Sequence, residues 1–194
     1  MPILRLVMLG LCGALIAGCD GASVPSTGAT GSGITTTPST VAANGTTRPG
    51  TVVPLGQRVL VRWRADRVHD SRVALTVTSL TRGTIKDLEQ FPLNDVARSS
   101  TVYYVSVTVR NTGTGTLTGQ LLTLYGKVSQ NLVVRPVDFT FPVFERCRNQ
   151  PLPRFPTGAK ARRCMVMLAP HHGRLTAVQW RGLPTAEPIS WRAS

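Results

Sequence analysis

From residue 58 onward, apolar and polar side chains alternate with a period of two. In the stretch Arg58–Arg64, Val59, Val61 and Trp63 share one face. Val73, Leu75 and Val77 alternate with Ala74, Thr76 and Thr78. Tyr103, Val105, Val107 and Val109 oppose Tyr104, Ser106 and Thr108. This period predicts half-buried strands, and their β-branched and aromatic content suits a pleated surface. Further strands are expected over residues 117–125, 131–134, 139–144, 164–169, 175–181 and 189–192. Residues 165–168 and 175–180, joined by Pro170-His171-His172-Gly173, predict a closing hairpin. No segment carries a helical repeat beyond one turn near residues 85–91, ended by Pro92. Seven to nine short strands predict an all-β antiparallel sandwich over residues 52–194.

The first fifty residues follow a different pattern. Met1 to Arg5 is a short leader with one positive charge, followed by an apolar run to Ile16 and then Ala17-Gly18-Cys19. That order is an export signal over residues 1–18, too short an apolar run for a good spanning helix. Ile16-Ala17-Gly18-Cys19 resembles the lipobox of bacterial lipoproteins. The resemblance implies cleavage before Cys19 and a diacyl thioether on its sulfur, with fatty acid such as palmitate on the new amine. A simple cleaved signal and a secreted chain is the alternative. Residues 20–51 number 32, of which 26 are Gly, Ser, Thr, Pro or Ala and none is aromatic. Such a stretch reads as a flexible linker with an end-to-end distance of about 30 Å. Residues 35–40 suit O-glycosylation, although an unmodified tether is the simpler expectation.

Four cysteines are present. Cys12 leaves with the signal and Cys19 takes the lipid, so Cys147 and Cys164 remain as a pair in an exported chain. A structural disulfide is expected, worth about 3 kcal/mol for a loop of this size. A zinc site would need more soft ligands, and a redox-active pair a shorter spacing.

The run from Tyr103 to Gly113 resembles a strand and Asn-containing turn found in immunoglobulin-like (telokin-like) domains of bacterial extracellular lipoproteins. Residues 158–170, 173–178 and 188–191 resemble later segments of the same domains. The resemblance implies an immunoglobulin-like sandwich on the outer face of a membrane, in a group without an assigned activity, and no catalytic residue is carried over from it.

The chain is 42% hydrophobic and 16% charged, with a net charge of +13. This composition excludes a fully disordered chain and a polytopic membrane protein. From residue 52 onward there are 17 Arg and 3 Lys against 8 Asp and Glu. One basic group is Arg146, Arg148, Arg154, Lys160, Arg162 and Arg163. Another is Arg58, Arg62, Arg64, Arg67 and Arg72, diluted by Asp66 and Asp70. Export argues against nucleic acid, so the expected partners are the membrane, an envelope protein or an anionic surface polymer. Charge that merely maintains solubility is the competing reading.

Catalytic patterns are sparse. Gly113, Gly115 and Gly119 nearly spell a dinucleotide fingerprint, but no helix follows, so a strand-joining turn is expected. His69-Asp70 and His171-His172 read as exposed turns before they read as a base or a metal pair. Trp63, Trp180 and Trp191 read as core residues before they read as a sugar platform. The sequence predicts a non-catalytic binding module without metal or cofactor. A small-ligand carrier with its ligand between the sheets is the alternative, followed by an envelope enzyme using His69, His171 or His172.

Overall fold

The computed structural model describes residues 40–139, 142–182 and 184–193. The leader 1–18, Cys19 and the linker up to residue 39 lie outside the described residues. Among those described, nine strands form two sheets. One has the order β1 (Val52–Pro54), β9 (Ile189–Arg192), β8 (Ala177–Trp180), β5 (Tyr125–Lys127), β6 (Val133–Val134). The other has the order β2 (Arg58–Arg64), β3 (Asp70–Arg82), β4 (Thr101–Asn111), β7 (Lys160–Ala169). All neighbours are antiparallel except β1 and β9. The architecture is all-β and consistent with a sandwich.

The period-two pattern decides which side chains meet. Val59, Val61, Val73, Leu75, Val77, Val105, Val107 and Val109 bury themselves from one sheet. Val178, Ile189 and Trp191 join them from the other. Trp63 and Trp180 meet edge to face at 6.0 Å. Trp191 is fully buried, and its indole N–H donates to the Gln57 carbonyl at 2.8 Å. All three tryptophans are therefore core residues. Burial of this apolar area is the main stabilising contribution.

Several expectations change. The closing hairpin does not form, because β7 pairs with β4 while β8 pairs with β5 and β9 in the other sheet. Residues 170–173 instead carry the chain between sheets. His171 and His172 both take left-handed φ there, at 53° and 55°. Continuous burial of Met165, Val166 and Met167 is the physical reason, since β7 is covered on both faces. Residues 117–124 turn at Thr118-Gly119 and do not form a strand. Leu117, Leu122 and Leu124 are buried, and the backbone bonds to Leu152 and Phe155 instead of to a sheet. Among the described residues 139 and 142–144 there is no strand. Phe139 packs tilted and Phe144 edge-on against Phe91, at 4.4 and 5.8 Å. The turn near residue 85 is a 3₁₀ turn, Ile85–Leu88, and a one-turn helix Asp95–Arg98 follows, capped by Asn94. Within the expected linker, residues 40–51 are structured. Thr47 bonds both ways with Leu60, at 2.7 and 3.0 Å, and so covers the free edge of β2.

Asn111 ties the far end of β4 together. Its side chain is completely buried. It accepts from the Ser71 hydroxyl at 2.7 Å and from the Gly113 N–H at 3.2 Å. It donates to the Gly115 carbonyl at 2.7 Å and the Phe155 carbonyl at 3.1 Å. Gly115 must be glycine, because a Cβ there would collide with the Asp70 carbonyl. The near-fingerprint is thus a tight turn pressed against the start of β3. Replacing Asn111 with Ala strands buried polar groups from three segments. We expect a loss of about 2–4 kcal/mol in urea denaturation, with an unchanged m-value.

Candidate anion-binding face

The outer face of the four-stranded sheet changes character halfway along β4. Val102 and Tyr104 face outward at one end, and Ser106, Thr108 and Arg110 continue that face at the other. The apolar half is covered. Leu88, Phe91, Phe144 and Cys147 pack on Val102, Tyr104 and Val166 in a second small core. The disulfide between Cys147 and Cys164 staples this cover to β7, opposite Ser106.

Three of the six basic residues first grouped by sequence are engaged within this cover. Arg146 pairs with Asp87 at 3.0 Å and lies over the Tyr104 ring at 5.0 Å. Arg148 pairs with Glu145. Arg163 donates to the carbonyls of Gln150, Pro151 and Arg162, at 2.7–3.0 Å, and its burial lowers its pKa. Arg154, Lys160 and Arg162 remain exposed.

The polar half is open, and strand register assembles it. One row across the sheet is Arg58, Thr76, Thr108, Arg162. The next is Leu60, Ala74, Arg110, Lys160, and a third holds Arg62 beside Arg72. With strands about 4.8 Å apart, a row spans about 14 Å. Arg58, Arg72, Arg110, Lys160 and Arg162 are exposed. Asp70 borders the face and is held by Arg62 at 2.7 Å and Arg64 at 3.0 Å. A concavity of about 560 Å³ lies where the open half meets the cover, lined by Thr78, Ser106, Thr108, Arg148, Arg162 and Arg163. Lys160 and Arg162 of one sequence group and Arg58, Arg62 and Arg72 of the other thus share one sheet face, and Arg110, which belonged to neither, lies between them. Its signal was parity, because the exposed cations of this half take the solvent-facing phase of their strands.

The histidines do not converge. His69 Nδ1 hydrogen-bonds Asp66 at 2.7 Å in the turn before β3, and this bond draws the Asp66 pKa down. His172 donates its backbone N–H to Ser99 and sits near Arg82, beyond the other end of β3. Thirteen residues of strand separate those ends by about 40 Å. Among the described residues no three His, Cys, Asp or Glu cluster as metal ligands. In the middle of the shared core Val73, Leu75, Val105 and Val178 are completely buried.

No family model, curated protein or solved structure matches this chain.

Two carboxyl and phenol groups make the electrostatics measurable. Hydrogen bonding to Arg62 holds Asp70 down at about 2. Its stabilising contribution is complete above about 4 and is lost as pH falls toward 2. Burial, aided by the bond to Asp87 at 2.7 Å, pushes Tyr104 up to about 12. Its contribution is complete below about 10 and is lost as pH rises toward 12. Phenolate absorbance should show a late-titrating phase that Tyr104→Phe removes. Carboxyl NMR should show one aspartate titrating near 2 that shifts upward in Arg62→Gln.

Proposed function

We propose that the chain is an exported lipoprotein held at a membrane through Cys19. Its non-catalytic, immunoglobulin-like domain would bind a phosphate- or carboxylate-bearing envelope polymer through the open basic half of the four-stranded sheet. Support for the anchor is the lipobox-like sequence, and the adjacent Gly/Ser/Thr/Pro stretch would lift the domain clear of headgroups. Support for the immunoglobulin-like reading is topological. The order β9-β8-β5-β6 follows the G-F-C-C′ order of such domains, and β4 beside β7 corresponds to the B-E pair. Two features depart from that pattern. β3 and β2 extend the sheet beyond β4, and the disulfide joins a covering loop to β7 without crossing the core.

The observation that carries the binding reading is a local rule broken without a local gain. Arg110 stands directly opposite Lys160, and Arg62 directly opposite Arg72. Like charges facing each other across strands destabilise a sheet. Asp70 relieves the second pair, whereas Arg110 and Lys160 have no acidic partner among the described residues. Such a conflict is typical of surfaces kept for a ligand. A polymer anion placed over Thr108 would relieve both sides at once. Arginine forks would bind it in the geometry they use for phosphate and carboxylate.

The reading separates stability from binding. Lys160→Glu is expected to raise stability by about 0.5–1 kcal/mol and to weaken retention on immobilised polyphosphate. The combined Arg58→Gln, Arg110→Gln, Arg162→Gln variant should elute at much lower salt, with retention reduced roughly 100-fold at low ionic strength. Immobilised polyglutamate run in parallel distinguishes phosphate from carboxylate preference. Retention unaltered in the triple variant would remove the polymer reading in favour of a protein partner. Mass spectrometry of the mature N-terminus tests the anchor independently.

A further inference from the structure

We propose a second binding site, for a small monocarboxylate with a short apolar chain, at the end of the sandwich around Arg82. It goes beyond the polymer face and does not depend on it. The site is created by a β-bulge. Along β3 the pairing runs Val77 to Val107 and then Ser79 to Ser106, so Thr78 is the extra residue. Before the bulge, odd-numbered residues such as Val73, Leu75 and Val77 face the core. After it, the phase inverts, and Leu80 and Arg82 lie opposite the core-facing Val105 and Tyr103. Without the bulge, Ser79 and Thr81 would take that phase, and Arg82 would point to the outer face. Bulges beside functional sites commonly re-aim a side chain in this way.

The re-aimed arginine lines an open cavity of about 480 Å³ between the ends of the two sheets. This size suits a small ligand. Leu55, Leu80 and Leu175 form its apolar wall. Thr101 and Tyr103, two residues apart on the inner face of β4, supply polar groups. Thr101 is 5% exposed, and its hydroxyl has no hydrogen-bond partner. A buried hydroxyl left unpaired costs stability, and a turn of the Thr101 side chain toward the cavity it lines would let a ligand oxygen satisfy it. Arg82 forms no ion pair with a described residue, so its fork is free to take a carboxylate. The rim at His172 holds a left-handed φ of 55°, a strained conformation of the kind that collects at binding sites. Arg82, with Arg174 also in the lining, sets positive charge beside an apolar wall, which matches an anionic head on an aliphatic body. A phosphate dianion would lose hydration against the leucines without gaining apolar contact.

The test is an amide NMR titration of the full Cys19→Ala chain with sodium hexanoate, with hexanol and acetate as comparators. Hexanoate should give saturable shifts at Leu80, Arg82, Thr101, Tyr103 and His172. Hexanol and acetate should bind at least tenfold more weakly. Arg82→Gln should weaken hexanoate about 10-fold or more, the range of a charge-assisted hydrogen bond. Thr101→Val should weaken it several-fold while its urea midpoint holds or rises, which a purely structural threonine would not do. The polymer-face variant with Arg58, Arg110 and Arg162 neutralised should bind hexanoate as the parent does. Absence of saturable shifts at millimolar hexanoate, unchanged affinity in Arg82→Gln, or shifts confined to Arg58, Arg110 and Arg162 would each overturn the site. None of these outcomes bears on polyphosphate retention.

Discussion

The outer face of the four-stranded sheet must be either covered or wet, and this chain does both on one strand. Val102 and Tyr104 require a cover, whereas Ser106, Thr108 and Arg110 on the same face require water or a polar ligand. The boundary falls at Ser106, directly opposite Cys164. The disulfide to Cys147 sits at that boundary and holds the cover on the apolar side. A cover that spread one strand row further would bury Thr108 and Arg110 without partners. A shorter one would expose Tyr104 and Phe144. Cross-linking the loop to β7 narrows the unfolded ensemble and also fixes where the cover stops. The open basic half therefore owes its extent to a contact outside it.

This division explains why a cluster of charge in the sequence is not a cluster of free charge in space. Arg146 and Arg148 belong to the cover, where they bind Asp87 and Glu145, and Arg163 reaches from β7 to the carbonyls of Gln150 and Pro151 in the adjoining loop. Their work is structural, since a loop without regular pairing leaves carbonyls that need donors. The exposed cations come from four strands and became neighbours only through register. Strand phase was legible in the sequence for β2, β4 and the first half of β3, because one apolar face per strand suffices to set it. Arg110 could have been joined to Arg58 and Arg162 on that basis, had strand order been known. Order was not legible, because parity fixes faces and says nothing about which strand lies beside which.

The misread hairpin has a related cause. Pro170-His171-His172-Gly173 has the composition of a hairpin turn, and apolar runs flank it on both sides. A hairpin within one half-wet sheet would show alternation in both arms. Met165, Val166 and Met167 show none, because β7 has the main core on one side and the small core on the other. β8 is likewise buried at every position. The unbroken apolar arm at Met165–Leu168 is the mark of a strand covered on both faces, which a turn crossing between layers then leaves. Crossing in so few residues requires left-handed backbone at two consecutive histidines. Histidine tolerates that region better than a β-branched residue would.

The bulge at Thr78 and the like-charge pair of Arg110 and Lys160 lie on the two sides of one sheet and obey one logic. A thirteen-residue strand with unbroken phase would have kept β3 regular and sent Arg82 outward, where it would have enlarged the basic face. Inverting the phase at Thr78 ends the basic face and transfers one cation to the inner side, next to leucines. Outer and inner sites then differ in the anion they favour. The outer face offers several hydrated cations, whose attraction is long-ranged and falls away within about 8 Å at physiological salt. The inner end sets Arg82, with Arg174 also in the lining, beside an apolar wall that charges a desolvation cost to any ligand without an apolar body. If both proposed sites bind as argued, a single inserted residue in one strand would separate recognition of extended polyanions from recognition of a small amphipathic acid.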